Sequence, residues 1–256
     1  MNICVDVGNT MVKIGVIEDG VLIKTLSFKT EINRSEDEIE SVILSLIRKS
    51  NIKVKENTSI ILSSVVPTLN VPLKNVLKKI FGSRLFVLGV GLKTGVALKV
   101  DNPSEVGSDL IADIAGLKAK YGAPAIVADL GTATKILLLD KDGFFSACSI
   151  APGLIISSKC LSSKGELLPN VSLEAPKSVL GRNTVEAMNS GILYGHLELV
   201  EGLVRRFEEE LGYKCHKVLT GGNANYIKDI ISKDFILDLD LAIEGLNIIL
   251  EKNKGI

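Results

Sequence analysis

Two short acidic turns carry the chemistry in this sequence. Asp129-Leu130-Gly131-Thr132-Ala133-Thr134 is entered by the apolar run Ala125-Ile126-Val127-Ala128 and left by Ile136-Leu137-Leu138-Leu139. Runs this short and aliphatic predict buried strands joined by a tight turn. A polyphosphate asks for such a turn: close backbone approach at Gly131, hydroxyls at Thr132 and Thr134, and a carboxylate at Asp129 to hold a cation. A structural hairpin with no ligand would use the same residue types. The chain, however, contains the turn twice. Asp6-Val7-Gly8-Asn9-Thr10 follows Ile3-Cys4-Val5 and precedes Val12-Lys13-Ile14-Gly15-Val16-Ile17. With Asp6 set on Asp129, Gly8 falls on Gly131, Asp19 on Asp142 and Gly20 on Gly143, so the next turns match without a gap. The repeat predicts two related half-structures, each offering a phosphate-binding turn to a shared cleft.

The elements that must hold these turns are legible from periodicity. Val21-Leu22-Ile23 and Leu26-Ser27-Phe28 extend the first hairpin into a three-stranded meander. Ser35-Glu36-Asp37-Glu38 has capping-box form, and Ile39, Val42, Ile43, Leu46 and Ile47 repeat at helical spacing. A strand over 60–66, a helix over 72–80 and a strand over 85–88 follow, which is mixed α/β order. The irregular, glycine-bearing stretch 89–107 leads to Ser108-Asp109-Leu110 and a helix on which Asp109 and Asp113 share a face. Acids in a helix's first turns are favourable without any function. Asp109 also directly follows a glycine loop, which makes it a candidate site residue.

The second half begins at the turn-rich Lys120-Tyr121-Gly122-Ala123-Pro124, and Leu154 opens a helix. A polar loop over 159–176 precedes the longest helix, predicted from Asn183, its cap, to about Leu211. Its face Ala187, Ser190, Gly191, Tyr194, Gly195 and Leu199 is rich in small residues and suits close helix contact. Lys217-Val218-Leu219-Thr220 reads as a strand running into Gly221-Gly222-Asn223 and a helix start, where backbone N–H groups could meet a flat ligand. The last helix spans 241–250.

Composition removes other classes. The 256 residues carry 30 basic and 30 acidic side chains and no net charge, which argues against a nucleic-acid-coating protein. No apolar run reaches the ~18–20 residues a bilayer span needs, and the start has no basic leader, so the cytoplasm is expected and no membrane partner. Cys4, Cys148, Cys160 and Cys215 lack metal or disulfide spacing. Cys4 and Cys148 lie in strand-like runs and are expected to be small buried apolar residues. His196 and His216 have no partner spacing.

The paired Asp-x-Gly turns resemble those of the acetate kinase, sugar kinase, Hsp70 and actin superfamily. More specifically, the chain resembles the type III pantothenate kinases. The matching segments are Asp6 to Thr10, Asp101-Asn102-Pro103-Ser104-Glu105-Val106-Gly107-Ser108-Asp109, Asp129 to Thr134, Ile150-Ala151-Pro152-Gly153, Gly181-Arg182-Asn183-Thr184-Val185-Glu186-Ala187-Met188 and Thr220-Gly221-Gly222-Asn223-Ala224. The resemblance implies an α/β fold of two actin-like, ribonuclease H-like domains, each a mixed sheet flanked by helices, with an ATP cleft between them. The expected boundary is 1–117 and 118–256.

It further implies a homodimer and ATP-dependent phosphorylation of pantothenate, the first step of coenzyme A biosynthesis. On the same basis ATP is met by Asp6, Val7, Gly8, Asn9, Thr10, Lys13, Gly131, Thr132, Gly221, Gly222 and Asn223. Asp6 holds Mg²⁺ directly or through water. Asp129 binds a monovalent cation, K⁺ or NH₄⁺, since no second basic residue is expected beside it. Asp109 is the general base, and Val100, Gly107, Ser108, Leu110 and Thr184 line the small-molecule substrate site.

Two positions depart from the family pattern. Leu110 stands where an arginine usually follows the catalytic aspartate, and Val100 where a tyrosine usually precedes Asp-Asn-Pro. Leucine cannot bind the substrate carboxylate. Losing a charged donor costs roughly 10- to 150-fold in affinity, so weak pantothenate phosphorylation, improved at least about tenfold by Leu110→Arg with Val100→Tyr, is expected. Lys99 or Arg182 could replace the missing donor. A different small hydroxyl substrate and a non-catalytic nucleotide-binding regulator are the other readings. Retention of Asp6, Asp109, Asp129 and Thr132 speaks against the regulator.

Overall fold

A computed structural model describes residues 1–165 and 167–255. The chain divides into two compact units: Met1–Val96, Asp101–Lys120 and Asp240–Ile256 form the first, and Ala97–Val100 with Tyr121–Leu239 the second. A single boundary near residue 117 therefore misses the return of the last helix to the first unit.

In the first unit, β1 (Asn2–Val7), β2 (Met11–Glu18) and β3 (Val21–Lys29) form the expected antiparallel meander. After α1 (Glu36–Lys49) the strand β4 (Ser59–Ser64) lies parallel to β1. After α2 (Asn70–Phe81), β5 (Leu85–Val87) lies parallel to β4. The sheet order is β3-β2-β1-β4-β5. The capping box at Ser35 forms in full: Glu38 N–H donates to Ser35 Oγ, and the Glu38 carboxylate accepts from Ser35 N–H at 2.8 Å.

Alternation along β1 sets the two faces of this sheet. Ile3, Val5 and Val7 enter a core with Ile39, Ile43, Leu73 and Leu77 of α1 and α2. Cys4 faces the other way, into a cluster with Ala112 and Ala115 of α3 (Ser108–Tyr121) and with Ile243, Leu246 and Leu250 of α6 (Leu241–Asn253). Asp6 alternates with Cys4 and so lies on the α3 side of the sheet.

Helices α3 and α6 approach closely because glycine stands where they cross. A Cβ at Gly245 would collide with the Ala112 carbonyl, and one at Gly116 would press on the Leu241 carbonyl. We expect Gly245→Ala to destabilise the protein by about 1–3 kcal/mol, although alanine is the better helix former by about 1 kcal/mol. Urea denaturation checks this: an unchanged midpoint would show that the helices can separate without loss.

The second unit repeats the scheme. The strands β7 (Ala125–Leu130), β8 (Ala133–Leu139) and β9 (Phe144–Pro152) form the meander. After α4 (Leu154–Lys164) and α5 (Thr184–Leu211), the strands β10 (His216–Thr220) and β11 (Phe235–Leu237) follow in parallel. A short β6 (Ala97–Leu98), from the stretch expected to be irregular, pairs with β9 and gives the order β11-β10-β7-β8-β9-β6. Ile126, Ala128 and Leu130 pack with Ile192, Leu193, Leu197 and Val200 of α5. Asp129 therefore faces away from α5. Helix α4 runs to Lys164, past the point where a loop was expected.

The repeat is less literal than the sequence match. The first phosphate turn has residues 8–10 between its strands and the second only 131–132. The difference is made up at the next turn. Asp19-Gly20 is a tight pair with both φ positive, at 50 and 81, whereas β8 and β9 join through Asp140 to Gly143. There Asp140 Oδ1 accepts from the N–H groups of Asp142 and Phe144, each at 3.0 Å. Cys148 corrects another expectation: it lies in a strand but on its exposed side, while Cys4 is fully buried.

Candidate active site

In the first unit the turn after β1 is held from below. Gly8 N–H donates to the Met11 carbonyl at 3.0 Å, and Thr30 binds the turn twice, by its hydroxyl to the Gly8 carbonyl at 2.7 Å and by its N–H to the Thr10 carbonyl at 2.9 Å. Thr30 was not foreseen, since a strand-end threonine carries no sequence signal. Asn9 and Thr10 are exposed at the tip, and Lys13 lies opposite Asp6 in the β1–β2 register. Val7 contributes no side chain to a ligand: it is fully buried against α1 and α2, and its carbonyl accepts from Val65 N–H.

Hydroxyls tie this turn to α3. Asp6 pairs with Ser63 in the β1–β4 register, Ser63 Oγ–H donates to Ser108 Oγ at 2.9 Å, and Ser108 Oγ–H donates to the Ser64 carbonyl at 3.3 Å. Ser63 is fully buried, so this relay fixes the first turn of α3 against the ends of β1 and β4. Asp109, the next residue, is thus placed by the same strand ends that place Asp6. Asp113, one helical turn on, is 3% exposed and belongs to the interior.

The substrate positions fall in both units. Gly107, Ser108, Asp109 and Leu110 belong to the first. Leu110 is only 9% exposed, so an arginine there would have to carry its charge out of a core position, and the proposed Leu110→Arg gain meets a folding cost. Val100 and Lys99 follow β6 in the second unit. Lys99 N–H donates to the Phe145 carbonyl, and its ammonium lies 6.0 Å from the Phe144 ring centre. Thr184 opens α5, where Asn183 Oδ1 accepts from Glu186 N–H and the Glu186 carboxylate accepts from Arg182 N–H, both at 2.9 Å. Thr184 shares a surface hollow with Arg182, Leu161, Leu168 and Met188.

The second turn is clamped on two sides. Asn223 donates from its N–H to the Leu130 carbonyl and from its side-chain amide to the Gly131 carbonyl, both at 2.8 Å. Its side chain therefore positions the turn. Gly221, with φ +94, leaves no room for a Cβ, which would strike Asp129 Oδ1 and the Leu130 backbone. Only a single 3₁₀ turn, Ala224–Tyr226, follows, so no α-helix N-terminus forms at Gly222 as expected. Thr132 is exposed at the tip, while Thr134 turns inward at 1% exposure and shares a 2.6 Å hydrogen bond with His196 Nε2 of α5.

Burial holds His196 below the ordinary imidazole value. The unfolded chain therefore takes up a proton at higher pH than the folded one. This stability is full above about pH 6.5 and is lost as the pH falls from there towards the folded value. We expect His196→Gln to lose less melting temperature than wild type on acidification from about pH 7.5 to 5.5. Parallel melting curves would remove His196 from the acid response.

One premise about Asp129 is corrected. Lys135, its cross-strand partner in the β7–β8 register, places Nζ 2.6 Å from Asp129 Oδ2, with both side chains nearly buried. A basic residue does stand beside this carboxylate. The ungapped match missed it, because it sets Ile136, not Lys135, on Lys13. Counting strand pairs outward from the two-residue turn would have found it. The residues present do not suit a free monovalent ion, since the carboxylate already holds an ammonium on one oxygen and Gly221 closes on the other. Mg²⁺ is different: it uses one or two carboxylates and keeps phosphate and water ligands. Asp6 at the end of β1 fits that demand, and among the described residues no group of three acidic, His or Cys side chains forms a protein cage.

Two mixed sheets, each a three-stranded meander extended by two parallel strands and each with an Asp-x-Gly turn after its central strand, define an actin-like α/β fold. A solved structure described as a 2-dehydro-3-deoxygalactonokinase from Sinorhizobium meliloti superposes with TM-score 0.57 over 100% of this chain and 98% of that one, at 11% identity. A Campylobacter jejuni structure described as a Baf family transcriptional activator gives 0.62 over 99% and 100%, at 19% identity. At such identities the likeness shows the fold alone. The chain belongs to the type III pantothenate kinase family, whose profile matches residues 2–206. A type III pantothenate kinase of Exiguobacterium sibiricum is 39% identical over 99% of this chain and 100% of its own length.

Proposed function

We propose that this protein transfers the γ-phosphoryl group of ATP to the primary hydroxyl of pantothenate, with Asp109 as general base. Family membership over almost the whole chain carries this reading. The Ser63–Ser108 relay supports it, because it sets Asp109 and Asp6 from one pair of strand ends. Phosphoryl transfer needs positioning and charge neutralisation more than covalent help. Asp109 would orient the hydroxyl and accept its proton. Mg²⁺, when bound, would neutralise phosphate charge, with Asp6 holding it directly or through water. Gly8, Asn9, Thr10, Lys13, Gly131 and Thr132 would meet the phosphates, and Gly222 the remainder of the nucleotide. The cytoplasm is the compartment we infer from a role in coenzyme A synthesis; among the described residues no helix is long and apolar enough to cross a membrane.

The test is ADP release from Mg-ATP across pantothenate, pantetheine, small polyols and nucleosides. Release confined to a substrate other than pantothenate would keep the kinase and move the substrate, and no release with any of them would favour a nucleotide-binding regulator.

A homodimer belongs to the same reading, with Thr184 reaching substrate. Gly191 and Gly195 of α5 are exposed with open space beside them, and Val179, Leu180 and Val185 nearby are exposed apolar side chains. Ser190 is not part of that surface: it is buried, and its hydroxyl donates to the Val179 carbonyl at 2.5 Å. We expect Gly191→Arg to keep the fold and to convert a dimer to a monomer in light scattering at micromolar concentration. A wild-type monomer there would reject the dimer, and a dimeric variant would reject its location.

A further inference from the structure

We propose that the Lys135 ammonium is a built-in cation at the second phosphate turn, so that nucleotide binding by this chain does not depend on potassium. The inference rests on the ATP-binding reading above and adds a residue to it.

The pair is fixed by the backbone. Asp129 and Lys135 are directly opposite in an antiparallel register, which puts their side chains on one face. That face is the one turned away from α5, where the neighbouring pair, Leu130 and Thr134, points. The Nζ–Oδ2 distance is 2.6 Å, and the two side chains are 14% and 13% exposed. A pair so withdrawn from water is neither strongly screened by salt nor exchanged cheaply for hydrated ions.

The carboxylate has little capacity left for a free ion. Gly221 closes against Oδ1, with its positive φ and no room for even a methyl group. Potassium would have to sit beside a fixed ammonium of the same charge, or displace it. A tethered ammonium also competes at a high effective concentration. Lysine carries a compact charge with three N–H donors, the chemistry that K⁺ or NH₄⁺ would bring to a phosphate turn. The first unit repeats the placement, with Lys13 opposite Asp6. Each phosphate turn thus has a lysine directly across the hairpin from its aspartate.

The experiment is calorimetric titration of the full chain with MgADP in KCl, NaCl and choline chloride at matched ionic strength. For wild type we expect affinities that agree within about twofold. For Lys135→Met we expect binding in choline chloride at least about tenfold weaker, partly restored by KCl as the ion enters beside Asp129. Wild-type binding about tenfold tighter in KCl than in choline chloride would overturn the inference and leave the kinase reading intact. So would a methionine variant that binds as wild type, or one whose weakening KCl does not relieve, since Lys135 would then only brace the hairpin. If the variant fails to fold, the wild-type salt series still decides. Absence of MgADP binding in every salt would remove the kinase reading and this inference with it.

Discussion

Replacing Asp109 with asparagine is expected to lower turnover at least about a hundredfold while MgADP affinity stays within a few-fold of wild type. The side chains are isosteric, so the amide can still orient a hydroxyl, but it cannot take the proton. The placement of the residue makes the loss selective. Ser108 anchors the helix start through Ser63 and Ser64, and none of those bonds involves the Asp109 side chain. The variant keeps that relay to the strand ends bearing Asp6. Single-turnover kinetics beside calorimetry would check both halves. A variant keeping more than about a tenth of wild-type turnover excludes Asp109 as the base. A parallel collapse of nucleotide affinity would make it a structural residue.

Gly221→Ala should have the largest effect on the second turn. The residue needs a left-handed backbone, at φ +94, and its Cβ would meet the Leu130 backbone and the Asp129 carboxylate. Backbone strain of roughly 1–2 kcal/mol adds to overpacking of about 1–3 kcal/mol, and the obstacle is main chain that cannot rotate away. Relief can come only by moving the Asp129–Lys135 pair or the Asn223 clamp. We expect a stability loss of about 2–5 kcal/mol and loss of measurable MgADP binding. Gly222→Ala is the internal control. Nothing lies within 4 Å of its Cβ, and its stability should stay within about 0.5 kcal/mol of wild type. Equal melting of the two variants would mean that the steric reading of Gly221 is wrong.

The parts of this fold that the sequence disclosed are those governed by local rules. Strand runs flanking Asp-x-Gly, the capping box at Ser35, the apolar stripe of α1 and the Asn183 cap depend on neighbours a few positions away, and each forms as expected. What stayed hidden depends on partners far along the chain or on one-residue counts. Lys135 is invisible until the second turn is known to be one residue shorter than the first. Ser190 looks like any small residue on a helix until Val179 is found against it. Cys148 differs from Cys4 only by which side of its strand is covered. The segment from Gly221 to Asn225 carries glycine and asparagine, which suit a tight turn as well as a helix start, and the Asn223 bonds to Leu130 and Gly131 decide for the turn. The family motifs mark Asp6 and Asp109 separately, and the serine relay links the strand ends that carry Asp6 to the helix start that carries Asp109.

The return of α6 to the first unit has a consequence for the order in which the protein is made. As residues leave the ribosome, the strand bearing Asp6 emerges long before one cover of its sheet, over Cys4, Ile17 and Ile61, which comes with α6. The second unit is nearly continuous in sequence and can complete its core before then. The usual N-terminal-first sequence of domain folding is thereby inverted. Until α6 has emerged, that face of the Asp6 sheet is covered only in part, and α3, with Asp109 on it, lacks the helix that packs against it at Gly245. The first unit, which bears Asp6 and Asp109, therefore completes its packing only after the second has been made.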